Sequence, residues 1–76
     1  MYYVYVLKHR HTGELYYGYT NDVQRRLAEH QQVAVWELVY YEAYRSELDA
    51  HHREQRLKHY AQALTVLKLR LQASLQ

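Results

Sequence analysis

One carboxylate in this sequence stands where a carboxylate is costly. At 100° per residue, the helical pattern over 47–59 has an apolar stripe marked by Ala50, Leu57 and Ala61, and Glu54 falls inside it. Burying that group costs on the order of several kcal/mol unless it is paired or bound to a metal. In an earlier helical pattern Val23 and Leu27 mark the inward stripe; Arg26 and His30 fall beside it, while Arg25 points away. Two chemistries fit. One is a structural ion pair of Glu54 with Arg26 or a neighbour. The other is a site where an acid, an arginine and phenols converge on a phosphate, the carboxylate holding a hard divalent cation and the guanidinium clamping the phosphate.

The phenols are plentiful: ten of the eleven aromatic residues are tyrosine and none is Phe. Tyrosine packs as an aromatic but brings a hydroxyl that needs a partner. Tyr5 and Tyr16 lie on neighbouring strands of an expected hairpin, where cross-strand aromatic pairs are ordinary packing units. Gly18, inside the second strand pattern, marks a bulge or a close approach by another group. Histidines gather at His9 and His11 beside a turn, and at His51, His52 and His59. Without cysteine or a convincing third ligand they read as an exposed, partly titrating face, not as a dedicated zinc site.

The elements that hold these residues follow from pattern. Tyr2 to Lys8 is β-branched and aromatic throughout, apolar on both faces, and is expected to be a central strand. His11-Thr12-Gly13 supplies a turn, and Glu14 to Thr20 resumes the strand pattern, giving a hairpin. Asn21 is the expected N-cap of a helix running to about Gln31, with Gln24 at the capping-box position. Trp36 to Tyr44 reads as a third strand. Ser46 and Asp49 open a helix over 47–59, and 62–75 forms another with Leu64, Leu67 and Leu71 as its stripe. The expected fold is α+β: a small three-stranded antiparallel sheet packed by helices in the order β-β-α-β-α-α.

Seventy-six residues make one expected domain, 1–76, which buries only about 60–65% of its unfolded surface. The absence of cysteine excludes disulfides, thiolate metal sites and a cysteine nucleophile. No apolar run approaches the ~18 residues of a membrane span, and Met1 to Leu7 lacks the basic start and small-residue cleavage site of a signal peptide. A cytoplasmic protein with no membrane association is therefore expected. The net charge of +2 is weak, but it divides as +1 over 1–35, −3 over 36–50 and +4 over 51–76, so basic character lies in the last third.

At this point the chain resembles the GIY-YIG nuclease superfamily, in particular its small single-domain bacterial members. Tyr3-Val4-Tyr5 resembles the first signature motif. Tyr16-Tyr17-Gly18 resembles the second, with Tyr5 and Tyr16 eleven residues apart. Asn21 to His30 resembles the helix written D-L-x-R-R-L-x-x-H, Leu38 to Glu42 the third strand, and Arg53 to Lys58 the helix written R-E-x-x-L-K. The resemblance implies a metal-dependent endonuclease-type domain that hydrolyses DNA phosphodiester bonds with Mg²⁺ or Mn²⁺. It implies that Tyr5 helps activate water, that Tyr16 packs and hydrogen-bonds in the site, and that Arg26 steadies phosphate charge. His30 would stand beside Arg26, and Glu54 would be the metal ligand. Arg25, Arg53 and Lys58 are the expected DNA contacts.

The chain departs from this pattern after the first helix. Family members carry a longer connection there, rich in Gly, Ser and basic residues, whereas here only Gln31-Gln32-Val33-Ala34-Val35 intervenes. The family's late polar residue, often Asn, has at best Gln62 as a substitute. Weak DNA binding and a domain-swapped homodimer are the expectations drawn from the short connection. The alternatives are a catalytically weak or inactive scaffold and an interaction module using Val66, Leu69 and Leu75 of the last helix.

Overall fold

A computed structural model describes residues 1–60 and 62–76 in full and Ala61 as part of the last helix. The elements are β1 (Tyr2–His9), β2 (Leu15–Thr20), α1 (Val23–Gln31), β3 (Trp36–Tyr44), α2 (Glu47–His59) and α3 (Ala61–Arg70). The sheet order is β2-β1-β3 with both neighbouring pairs antiparallel, so the order of elements and the α+β class are those expected from the sequence. β1 is central because it alone can be covered on both faces: Val4, Tyr5, Val6 and Leu7 are all buried.

Register sorts the side chains. Tyr5 pairs with Gly18 and Leu7 with Tyr16, which puts these four on one face of the sheet. Val4, Val6, Tyr17 and Tyr19 lie on the other, where Ala50 and Leu57 of α2 and Leu67 of α3 complete the core. Since β2 and β3 both oppose β1, they run parallel to each other, and α1 is the crossover that links them past the central strand. The link from α1 to β3 is only 32–35. It closes within one chain: the amides of Val33 and Ala34 both donate to the His30 carbonyl, and Arg10 N–H donates to the Val35 carbonyl at 3.0 Å.

Local chemistry sets the boundaries. Gly13 adopts φ +74°, a conformation that disfavours side chains, and closes the hairpin. His9 Nδ1 accepts from the amides of His11 and Thr12, so this imidazole caps the turn. The N-cap of α1 is Asp22, not the expected Asn21. The Asp22 carboxylate accepts from Arg25 N–H at 3.1 Å, and its own amide is held by Thr20 Oγ1. Asn21 therefore belongs to the preceding turn, and Gln24 sits one position short of the capping-box site. Ser46 caps α2 as expected, accepting from Asp49 N–H. α3 stops at Arg70, short of the expected residue 75, because Leu71 leaves helical geometry. The tail beyond it is tied back where Lys8 Nζ donates to the Leu75 carbonyl. The side chain of Ala61, expected in the α2 stripe, lies outside the described residues.

Candidate active site

Tyr5 lies at the centre of β1, only 1% exposed. Its ring crosses over Gly18, where a Cβ would come within 2.5 Å of the hydroxyl oxygen and 2.7 Å of Cζ. Glycine at this place is thus a requirement of the Tyr5 rotamer. The hydroxyl ends 3.1 Å from His30 Nε2 on α1, a hydrogen bond whose direction follows the imidazole tautomer. Tyr16 flanks the same imidazole with ring centroids 4.6 Å apart, and lies 6.2 Å from the Tyr5 ring. Trp36, at the start of β3, packs 6.1 Å from Tyr16. His30 is therefore held between two phenols, a placement the wheel put near the buried face without naming the partners.

Electrostatics favour the neutral imidazole. Burial lowers the His30 pKa below its ordinary 6.5, and the charge of Arg26 pushes it further down against a smaller opposing pull from Glu29. Burial raises the Tyr5 phenol above 10.0, outweighing the Arg26 guanidinium beside it, which favours the phenolate. Arg26 in turn is held more firmly in its charged form by Tyr5 and then by Glu29. Near neutral pH the cluster is an uncharged proton acceptor, a buried phenol and a fixed positive charge.

The two arginines of α1 diverge as the wheel requires. The Arg25 side chain is 57% exposed and reaches Glu29 at 3.6 Å and Asn21 Oδ1 at 3.5 Å. That of Arg26 is 36% exposed, and its Nη1 meets Glu29 Oε2 at 2.6 Å. Only Arg26 acts on Tyr5 and His30.

Glu54 is buried, 6% exposed, and its cation is Lys58 one helical turn on, not Arg26. Lys58 Nζ lies 3.2 Å from Oε2, and Gln55 Nε2 donates to Oε1 at 2.8 Å. The same ammonium stands 6.0 Å from the Tyr16 ring centroid, which links the carboxylate to the phenol side of the cluster. Tyr5, Tyr16, Arg26 and His30 thus come together directly, and Glu54 joins them through Lys58. Glu54 is the carboxylate that would hold a metal, and among the described residues no three His, Cys, Asp or Glu side chains gather around one point. That donor set suits a hydrated Mg²⁺ or Mn²⁺, which keeps several waters and takes substrate phosphate oxygens beside one or two carboxylates. It does not suit a cation that needs an all-protein cage.

Arg53 lies elsewhere. It grips Glu42 of β3 in a fork, Nε donating to Oε1 at 3.0 Å and to Oε2 at 3.3 Å and Nη2 to Oε2 at 3.0 Å. Tyr40 and Tyr44 both donate their hydroxyls to the same carboxylate, at 2.6 and 2.5 Å. Burial alone would raise the Glu42 pKa, but hydrogen bonds from Arg53 and the two phenols bring it below its ordinary value. Burial and the bond to Glu42 push both phenols up to about 12. The alternation Tyr40-x-Glu42-x-Tyr44 on one strand face was visible in the sequence; its distant partner on α2 was not. Sequence reasoning also passed over Gln55 and Glu29, the immediate neighbours of Glu54 and Arg26.

No helix among the described residues is long and apolar enough to cross a membrane. Comparison with curated proteins and with solved structures returns no match. A family model described as the GIY-YIG catalytic domain matches residues 1–65.

Proposed function

The chain belongs to the GIY-YIG catalytic-domain family, a nuclease-type family, and on that footing we propose that it hydrolyses DNA phosphodiester bonds with a divalent cation. The observation that carries this reading is the charged Arg26 guanidinium standing beside the Tyr5–His30 hydrogen-bonded pair. Arg26 binds the scissile phosphate and offsets the negative charge that builds on it; its tie to Glu29 fixes the guanidinium in place. The Tyr5–His30 pair takes up the proton of the attacking water. Because Tyr5 is almost wholly buried, that proton enters at the imidazole, while the phenol orients the ring. Tyr16 packs the other side of His30 and keeps it from turning. Glu54 would hold Mg²⁺ or Mn²⁺, and the ion would supply Lewis-acid stabilisation of the phosphate. Arg25, exposed on α1, contacts flanking phosphates. Lys58, 3.2 Å from Glu54 and partly exposed, is a further residue that would contact DNA phosphates. Residues 1–76 act as one domain, in the cytoplasm, with weak affinity for DNA, and the short connection at 32–35 permits a swapped homodimer.

One observation favours a second reading, a folded relative without activity: both Glu54 oxygens are already engaged, one by Lys58 and one by Gln55. Incubating the purified chain with supercoiled plasmid and Mg²⁺ or Mn²⁺ separates the two. Conversion to nicked circles supports hydrolysis, and intact plasmid at micromolar protein supports the inactive relative.

A further inference from the structure

The two faces of the sheet carry different equipment. Tyr5, Tyr16 and His30 stand on the α1 side, while α2 and α3 cover the other. Between α2 and α3 lies a cleft of about 570 Å³, lined by Arg53, Arg56, His59, Tyr60, Val66 and Arg70 among others, with no acidic residue on its wall. None of these side chains belongs to the cluster on the α1 side.

The three arginines are not equivalent. Arg53 is spent on Glu42. Arg56 and Arg70 pair with no carboxylate among the described residues. Two uncompensated guanidiniums facing one concavity repel each other and attract an anion. Their planar forks match phosphate oxygens better than a point charge would. Tyr60 adds a second kind of contact. It is 62% exposed, an unusual place for an aromatic ring, and the Arg56 guanidinium carbon lies 5.8 Å from its centroid. It stands at the break between α2 and α3, where its extended backbone interrupts the helix, and it lines the cleft. An aromatic platform beside free arginines is the arrangement that grips a single-stranded nucleotide, base on ring and phosphate on guanidinium. The volume falls in the range of small-molecule pockets and suits about one nucleotide.

We propose that the α2–α3 cleft is a second polynucleotide site, binding one nucleotide of a single strand through Tyr60, Arg56 and Arg70, apart from the Tyr5–His30–Arg26 cluster. The site depends on no metal and on no cleavage, so it stands or falls independently of the hydrolytic reading. A single strand held there would tether the chain to frayed or gapped DNA while the α1 face engages a duplex.

The test is fluorescence anisotropy of a labelled twelve-nucleotide oligo-dT in EDTA, where metal and cleavage play no part. Wild type is compared with Arg56→Ala/Arg70→Ala, Tyr60→Ala, Tyr60→Trp and Arg45→Ala, each checked for folding by circular dichroism. The double arginine variant should weaken binding about tenfold or more and lower the salt slope by about 1.4, the loss of two single-strand phosphate contacts. Tyr60→Ala should cost about fivefold or more and Tyr60→Trp should restore it, since every base can stack on an indole. Arg45→Ala, which removes an exposed arginine belonging to neither site, should stay within about twofold of wild type. Inorganic phosphate, dTMP and polyglutamate are run as competitors to separate sources of negative charge. The proposal expects the oligonucleotide to outcompete all three at equal charge. Oligo-dT binding that ignores the cleft variants, or that polyglutamate displaces as well as unlabelled oligo-dT does, would overturn it.

Discussion

At the scale of single residues, the site is defined by neighbours that share electrostatics. His30 is kept neutral by burial and by the charge of Arg26, so protonating it in the folded protein is harder than in an unfolded chain. Its lowered pKa means that the contribution it makes to stability is present above about 6.5 and is lost as pH falls through the folded value. Catalysis should follow the same direction. We expect kcat/KM for plasmid nicking to be flat near neutral pH and to decline on an acid limb with a midpoint below 6.5. His30→Gln should be slow and should lack that limb; an unchanged limb in the variant would remove His30 from the mechanism. The neighbouring arginines offer a sharper contrast. Arg26→Ala should reduce single-turnover cleavage by about 10² or more, the usual effect of removing one donor that stabilises developing charge. Arg25→Ala should weaken DNA affinity and leave turnover at saturating DNA within a few-fold. Equal losses of turnover would refute the division of labour between them.

At the scale of elements, the central strand and the crossover helix were legible because their patterns are local. Tyr, Val and Leu on both faces of β1 announce a strand covered twice, and the Val23/Leu27 stripe places Arg26 and His30 without any knowledge of the sheet. What sequence could not supply was partnership across distance. The Glu42–Arg53 grip joins residues eleven positions apart on different elements. The Glu54–Lys58 pair is the opposite case: its i,i+4 spacing is a local signal that was there to be read, and attention to Arg26 passed over it. Asn21 and Asp22 are both good caps, and only the position of Thr20 Oγ1 decides between them. Gly18 shows the elements and the site meeting at one atom. A methyl group there would collide with the far end of the Tyr5 ring on the adjacent strand, and that ring is almost wholly buried. Gly18→Ala should destabilise the fold by about 1–3 kcal/mol, as overpacking does. It should also detach the Tyr5 hydroxyl from His30 and so shift the imidazole ring resonances. Denaturant unfolding with NMR of the His30 ring checks both, and a variant with wild-type stability and spectrum would contradict the packing described.

At the scale of the whole molecule, the short link between α1 and β3 bears on assembly by simple geometry: four residues span at most about 14 Å when fully extended. Here they close within one chain, held by bonds to the His30 and Val35 carbonyls. A hinge with so little slack relieves strain readily by passing β3, α2 and α3 to a second copy. Light scattering should therefore find a dimer beside the monomer, exchanging slowly. Inserting a basic, glycine-containing decapeptide after Gln32 should convert it to monomer and steepen the salt dependence of duplex binding by roughly 0.9 for each new phosphate contact. A parent that is monomeric at all concentrations, or an insertion that alters neither mass nor salt slope, would dispose of the swap.

The proposed division of the molecule into a hydrolytic α1 face and a cationic α2–α3 face leaves Glu54 between them, tied to Lys58, whose ammonium also approaches Tyr16. Everything proposed about hydrolysis requires this carboxylate to release Lys58 and take a cation instead. Glu54→Gln keeps the shape and the hydrogen bond to Gln55 but removes the charge. The most direct measurement is single-turnover nicking of supercoiled plasmid by wild type and Glu54→Gln in Mg²⁺ and in Mn²⁺, with matched far-UV circular dichroism. The account predicts metal-dependent nicking by wild type and none above background by the folded variant; nicking by Glu54→Gln at the wild-type rate would contradict it.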